Sequence, residues 1–410
     1  MSEYVVRATG LPASFAPRLA TLDVELTERC DNNCLHCCIN LPANDPDAQR
    51  RELTTTEWKE MFKQAADLGC LQVRITGGEP LLRPDFEDLY ICARQLGMKV
   101  LLFTNGRVLG TTRGAHIVDT LVHLPPRVPI EITVYGMHAA SYEAVSRVPG
   151  SHTQFRRGVD RLLSGNVPFV VKSALLPPNR SEMDEFESWA TALPWQNNAP
   201  GYAMFFDLRH RRDDPERNRL IASLRIAPED GVAVLMRHER QYREAMHEFG
   251  VRFLGPPGDL LFACGAGHAL TVDAYGCAQP CLGLRSPELT IDLKSHSLDE
   301  ALRAYESLRG MRASNPEYLR RCARCFLKSL CEQCPARAWT EHGTLDTPVD
   351  YLCAVAHAKA RALGWLAPDE VGYTCGTWRS KVIDEPARAS EGQASGCPTS
   401  PTETPPCREQ

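Results

Sequence analysis

Along the first two hundred residues, short apolar runs alternate with longer stretches whose apolar positions recur every three or four residues. The runs are LDVELT (22–27), LQVRIT (71–76), KVLLFTNG (99–106), IEITVYG (130–136), FVVKSALL (169–176) and YAMFFDL (202–208). Short, apolar and bounded by turn residues, they read as strands. Between them lie LTTTEWKEMFKQAADLG (53–69), PDFEDLYICARQLG (84–97), a stretch near 115–122, SHTQFRRGVDRLLSGN (151–166) and SEMDEFESWATAL (181–193). These carry helical spacing. Thr54 and Glu57 are placed as a capping box, Gly69 as a stop, and Gly97 ends the second helix. Six strands with intervening helices predict right-handed βα units on a parallel sheet. In such sheets the chemistry gathers at the C-terminal strand edge.

The pattern changes after 208. RHRRDDPERNR (209–219) is a charge run that predicts a solvated loop or helix face. A helical stretch follows, and GPPG (255–258) marks a boundary. The expected organisation is an N-terminal extension (1–20), a core domain (21–210), a helical linker (211–258), a cysteine-rich module (259–365) and a disordered tail (380–410). The net charge of -5 leaves no electrostatic footprint for nucleic acid or an anionic membrane. No apolar run is long enough to span a bilayer. The start, MSEYVVRATGLPAS, lacks a basic-then-apolar signal sequence, which predicts a cytoplasmic location.

Seventeen cysteines change this ordinary picture. They fall in tight clusters, and in a reducing compartment clustered cysteines read as ligands rather than cross-links. The first cluster, CDNNCLHCC (30–38), directly follows the first strand. Cys30, Cys34 and Cys37 are spaced C-x3-C-x2-C. Three thiolates on a short loop suit one [4Fe–4S] cluster and leave its fourth iron open to react. Zinc fits less well, because structural zinc takes four ligands. GGEP (77–80) and FTNG (103–106) end the second and third strands, so all three stretches meet at one sheet edge. Cys38 reads as a packed thiol, and Cys70 and Cys92 as core.

With these residues in place, the chain resembles the radical S-adenosylmethionine (SAM) enzymes. The match is CDNNCLHC, with His36 just before the third cysteine, together with TGGEP (76–80), and it extends over successive βα units to 208. The resemblance implies a partial (β/α)6 TIM-like barrel. It implies a [4Fe–4S] cluster on Cys30, Cys34 and Cys37, with SAM chelating the open iron. One electron would cleave SAM to a 5′-deoxyadenosyl radical that takes a hydrogen atom from the substrate, the protein aligning the parts. By the same resemblance His36 packs over cluster or adenine. Gly77 and Gly78 let the backbone approach the ligand, and Glu79 accepts from the SAM ammonium. Asn105, Thr133, Tyr135, Lys172 and Ser173 are candidates for ribose or carboxylate contacts.

The later cysteines resemble the SPASM extension of these enzymes. Cys264 is followed by Gly276 and, after four residues, Cys281; then come Cys322, Cys325 and Cys331, Cys334 one residue early, and Cys353. The resemblance implies two auxiliary [4Fe–4S] clusters. One would sit on Cys322, Cys325, Cys331 and Cys353. The other would sit on Cys264, Cys281 and Cys334, with Cys277 as a candidate fourth ligand. A pair of zinc knuckles is the alternative.

Enzymes of this kind mostly modify peptides or proteins, so the resemblance implies a peptide maturase served by a flavodoxin or ferredoxin-type reductant. About twenty residues precede the first strand, too few to bury a core. The expectation is therefore that a separate leader-peptide-binding protein delivers the substrate, or the leader is read directly. Leu282 stands where sulfatase-maturing relatives place an aspartate base, which argues against that subclass. Asp207, Arg209 and His210 are candidates for substrate binding or proton transfer. The alternatives are a dehydrogenase or epimerase acting on a small-molecule precursor, and a non-catalytic iron–sulfur scaffold or sensor. Cys375, Cys397 and Cys407 read as incidental surface thiols.

Overall fold

Six strands run parallel and pair in chain order: β1 (Thr21–Glu25), β2 (Gln72–Thr76), β3 (Lys99–Thr104), β4 (Ile130–Val134), β5 (Phe169–Ala174) and β6 (Gly201–Ala203). The structure, a computed structural model, describes residues 18–37, 39, 41–206, 208, 214–262, 269–331 and 334–384. Cys38, Asp207, Arg209, His210, Cys264, the segment before residue 18, and the tail with Cys397 and Cys407 lie outside the described residues.

Period-2 patterning builds the sheet. Val73 and Ile75 of β2, Val100 and Leu102 of β3, and Ile130, Ile132 and Val134 of β4 are buried in one apolar core. The alternate positions face the other way and are partly exposed. There Arg74 pairs with Asp23 at 3.1 Å and Lys172 with Glu131 at 2.8 Å. The helices answer with apolar stripes: Trp58, Met61, Phe62 and Ala65 on Thr55–Asp67, and Phe86, Leu89, Tyr90 and Ala93 on Phe86–Gln95. The capping box of Thr54 and Glu57 is formed. Gly69 and Gly97 take positive φ where their helices stop.

The sixth strand is shorter than its apolar run predicts. β6 ends at Ala203, while Met204 and Phe206 stay buried off the sheet. An apolar run of this length cannot by itself separate a strand from a buried loop.

The sheet then continues from the far end of the chain. β7 (Ala269–Val272) pairs parallel with β1, in register from Thr21 opposite Ala269 to Val24 opposite Val272. β8 (Cys277–Gln279) and β9 (Ile291–Asp292) add antiparallel. The order is β9-β8-β7-β1-β2-β3-β4-β5-β6, so the outer edge of β1 is taken and the barrel stays open. A buried pair reinforces the junction: Arg285 Nη2 lies 2.7 Å from Glu25 Oε2, their side chains 5% and 0% exposed.

A second, smaller core holds Phe326, Leu327, Leu330, Ala356, Ala360, Trp365, Leu366, Trp378 and Val382. It carries the cysteine-rich module's packing past residue 365. The stacked rings of Phe326 and Trp378, 5.5 Å apart, close it. Among the described residues no helix is long and apolar enough to cross a membrane.

Candidate functional site

The first cysteine loop leaves β1 through a two-residue ladder that pairs Arg29–Cys30 with Leu41–Pro42. Its backbone is held from several elements. Asn33 N–H donates to Ser146 O at 2.9 Å and Leu35 N–H to Val145 O at 3.1 Å, which satisfies the last carbonyls of helix Ala139–Ser146. The buried Arg107 reaches in from beyond β3. Its Nη1 donates to the Asp31 carbonyl and, at 2.7 Å, to Asn32 Oδ1, while Nε and Nη2 hold Gln154 Oε1 at 3.0 and 2.6 Å. Asn105 Nδ2 donates to Asp31 Oδ1 at 2.7 Å and lies 3.8 Å from Cys30 Sγ.

A third clamp comes from far along the sequence. Arg217, on helix Pro215–Ser223, donates from Nε to Cys37 O and from Nη2 to Cys34 O, both at 2.8 Å. The charge run around it predicts a solvated face. Arg217 instead turns inward, because two loop carbonyls lack helix or sheet partners and a guanidinium fork fits both.

Around the three thiols lies a half-open cavity of about 300 Å³, lined by Cys30, Cys34, Cys37, His36, Gly77, Gly78, Asn105 and Thr133, with Phe103, Tyr135 and Phe206 as aromatic walls. The His36 ring sits 5.0 Å from Phe206 and 5.9 Å from Tyr135. Lys172 and Ser173 lie outside this lining. Lys172 pairs with Glu131 over the Phe103 ring, and Ser173 Oγ donates to Val134 O at 2.9 Å.

The GGEP turn is packed under the loop. A Cβ on Gly77 would stand 2.3 Å from Thr27 O, and one on Gly78 2.2 Å from Arg29 O, so neither position accepts a side chain. Gly78 N–H donates to Thr27 O at 2.7 Å, which commits that donor to the protein. Glu79 is fully buried. Its carboxyl accepts from Leu81 N at 3.0 Å, Thr104 Oγ1 at 2.8 Å and Asn105 N at 2.9 Å. Burial, then Asp31, raises it to about 8. A cation delivered beside it would favour the ionised form.

These residues fit an iron–sulfur cluster. Burial, then Cys37, pushes the Cys34 thiol up to about 12; burial, then Asp31, Glu79 and Cys37, raises Cys30. Three thiolates here need a polycation between them. Amide hydrogens already point at sulfur, from Asn32 to Cys30 at 3.4 Å and from Ile39 to Cys37 at 3.5 Å. The buried Nδ1 of His36 has no hydrogen-bond partner, and burial lowers its ring to about 4, so a neutral imidazole faces the cavity. Among the described residues no three such side chains converge on the position of a single ion. A cluster instead needs its thiolates spread around a cube.

The second set is assembled differently. Cys322, Cys325, Cys331 and Cys353 all line one small space of about 20 Å³, with Arg321, Lys328 and His357 at its wall. Burial would raise the Cys353 thiol, but His357 Nδ1 at 3.6 Å and Arg321 Nη2 at 3.4 Å hold it below its ordinary value. His357 Nε2 accepts from Gly372 N at 3.0 Å, which leaves the ring proton on Nδ1, facing Cys353. A Cβ on Gly372 would stand 2.8 Å from Cys325 Sγ. Cys281 and Cys334 pack against the main core, and the segments that follow them touch at Gly283 and Ala336. Cys277 lines a separate cavity of about 480 Å³ with Glu28, Asp273 and Tyr275.

Arg107, Arg217, Arg321 and His357 were not singled out by the sequence. Each works through a partner at least 32 positions away or through the local geometry of a helix, which spacing between cysteines does not show.

The sequence profile of the Radical SAM superfamily matches residues 24–190, a span that holds the cysteine triad, GGEP and FTNG. An AdoMet-dependent heme synthase of Methanosarcina barkeri is 26% identical over 361 residues, covering 82% of this chain and 95% of that protein. A PqqA peptide cyclase of Xanthomonas euvesicatoria is 27% identical over 276 residues, covering 60% of this chain and 68% of the relative. Among solved structures, a tagged form of anSMEcpe with bound AdoMet superposes with a TM-score of 0.59 at 12% identity, covering 84% of this chain and 93% of that one, a likeness of fold.

Proposed function

This chain belongs to the radical SAM superfamily, with a [4Fe–4S] cluster and SAM as cofactors, and we propose that it is a peptide maturase acting on a side chain of a peptide or protein. The observation that carries the substrate class is the similarity to PqqA peptide cyclases from several organisms. A half-open cavity over the triad is compatible with it.

Cys30, Cys34 and Cys37 are the proposed ligands of the SAM-binding cluster. When bound, the cluster and SAM supply a 5′-deoxyadenosyl radical that removes a hydrogen atom from the substrate. The chain's own residues prepare that event. Arg107, Asn105 and Arg217 fix the loop from three sides. His36, Tyr135 and Phe206 wall the cavity with aromatic surface and keep water from the reacting atoms. Glu79, fully buried and outside the cavity's lining, already accepts three hydrogen bonds and would need to leave one of them to meet a ligand ammonium. Thr133 faces the cavity as a hydroxyl contact, whereas Lys172 and Ser173 would need to leave their present partners.

Cys322, Cys325, Cys331 and Cys353 are the proposed ligands of one auxiliary cluster. Cys281 and Cys334, with Cys264 and Cys277 as further candidates, would hold another. These sites would pass electrons to or from the substrate. The reaction requires a flavodoxin or ferredoxin-type reductant, a reducing cytoplasmic setting, and a leader-peptide-binding protein or direct leader recognition.

A second reading has one observation in its favour. The relative matched over nearly its whole length is named a heme synthase, which points to a small-molecule precursor. Deuterium transfer separates the two. The reduced enzyme and SAM are incubated with either the peptide fraction or the small-molecule fraction of cells grown in deuterated medium. Deuterium in 5′-deoxyadenosine from the peptide fraction alone supports the maturase. Deuterium from the small-molecule fraction alone overturns it in favour of the second reading.

A further inference from the structure

Helix Pro215–Ser223 lies between the two cofactor regions and grips both. At its start, the Asp214 carboxylate accepts from Arg217 N–H at 2.9 Å and orients the first turn. From that turn the Arg217 side chain holds the carbonyls of Cys34 and Cys37. Just past its end, Arg225 Nε donates to Phe206 O at 2.8 Å, and Phe206 is the ring against His36. The other side of Arg225 faces the cysteine-rich module. It pairs with Glu341, on the helix that begins after Cys334, and lies 4.7 Å over the ring of Tyr351, two residues before Cys353. Tyr351 OH donates to Ile226 O at 3.0 Å.

We propose that Arg217 is a positioning residue for SAM binding: by holding the Cys34 and Cys37 carbonyls in one guanidinium fork, it sets the shape of the cluster loop and places a fixed positive charge behind an anionic cluster. This rests on the reading that Cys30, Cys34 and Cys37 hold that cluster. The two carbonyls are three residues apart on a turn that one backbone bond closes, Cys37 N–H to Cys34 O at 3.2 Å, and no helix or sheet adds to it. Arg217 adds the bond to Cys37 O and a second bond to Cys34 O, tying both ends of the turn to one side chain. Lysine offers a point charge without the fork, and glutamine offers two donors on one nitrogen but neither the charge nor the fork's two separate nitrogens. Arg217 touches neither the substrate nor the reacting atoms. Its influence runs through the two cysteines.

The test uses the full chain, reconstituted anaerobically, as wild type, R217K, R217Q and C30A. SAM is titrated into the reduced protein, and the change in the cluster's electron paramagnetic resonance spectrum is followed. R217Q is expected to weaken SAM binding about tenfold or more, in line with the loss of an outer partner of a metal ligand, with auxiliary iron and thermal melting unchanged. R217K is expected to recover part of the affinity but not the wild-type spectrum. Wild-type affinity and spectrum in R217Q overturn the proposal. If R217Q does not fold, R217K decides alone: weakened binding supports the role, and wild-type behaviour overturns it. C30A separates the two levels. A SAM-dependent signal that survives in C30A defeats the ligand assignment itself, and the role of Arg217 falls with it.

Discussion

The two cysteine regions solve opposite problems. At the first, three thiols sit on a loop at the sheet edge, over a cavity of about 300 Å³, with aromatic walls and one side open. At the second, four thiols, of which Cys325 alone is fully buried, line about 20 Å³ beside a second apolar core. The first is held by polar clamps, from Arg107 and Arg217 on backbone carbonyls and from Asn105 on the Asp31 carboxylate. The second is held by packing, with Arg321 and His357 directed at one sulfur. Three thiols and an open side, on the proposed assignment, would leave a site where a cofactor can exchange and react. Four thiols, if they are all ligands as proposed, would complete a cluster's coordination and leave their neighbours to tune it.

The largest break in this comparison is at the open site. Cys30→Ala is expected to abolish 5′-deoxyadenosine formation while auxiliary iron remains, checked by chromatography and iron analysis. Next comes the closed site. Cys331→Ala is expected to remove the auxiliary iron it helps hold and to spare SAM cleavage not coupled to product. Full iron content in that variant would contradict the four-thiol assignment.

The junction between the regions comes third. Arg285→Met removes one side of the buried pair with Glu25, and a broken buried pair costs about 3–5 kcal/mol. Chemical denaturation should show that loss across both cysteine regions together, because β7 and β1 share one sheet.

A pH effect follows at the open site. The folded Glu79 carboxyl titrates at about 8, against a reference value of 4.5. A group raised in this way contributes stability that is present below the unfolded value and lost as pH rises towards 8. Apo-protein melting should therefore fall between about pH 5 and pH 8, and Glu79→Gln should flatten the fall. The smallest effect is local. Thr54→Ala removes the capping box of helix Thr55–Asp67 and should cost about 1 kcal/mol, leaving both sites unchanged.

How much was legible follows the same division. Thr54, Glu57, Gly69 and Gly97 act within one turn of the chain, and their signals appear in the structure where the sequence puts them. The cysteine spacings were legible because each set lies mostly on one short segment. β7 was not, since its pairing with β1 joins residues some 250 positions apart and its four residues carry no signal of a partner. Arg217 was hidden by its neighbours, as a charge run gives no hint that one member turns inward. Met204 and Phe206 misled in the other direction: buried for the sake of the cavity and core, they read as strand.

The most direct test of the central claim compares iron per chain in wild type and in the Cys30→Ala, Cys34→Ala, Cys37→Ala triple variant, both reconstituted anaerobically, alongside 5′-deoxyadenosine yield. A loss of about four irons, with cleavage gone and the remaining iron retained, is the predicted result. Unchanged iron, or cleavage that survives, would contradict an open cluster at the first site.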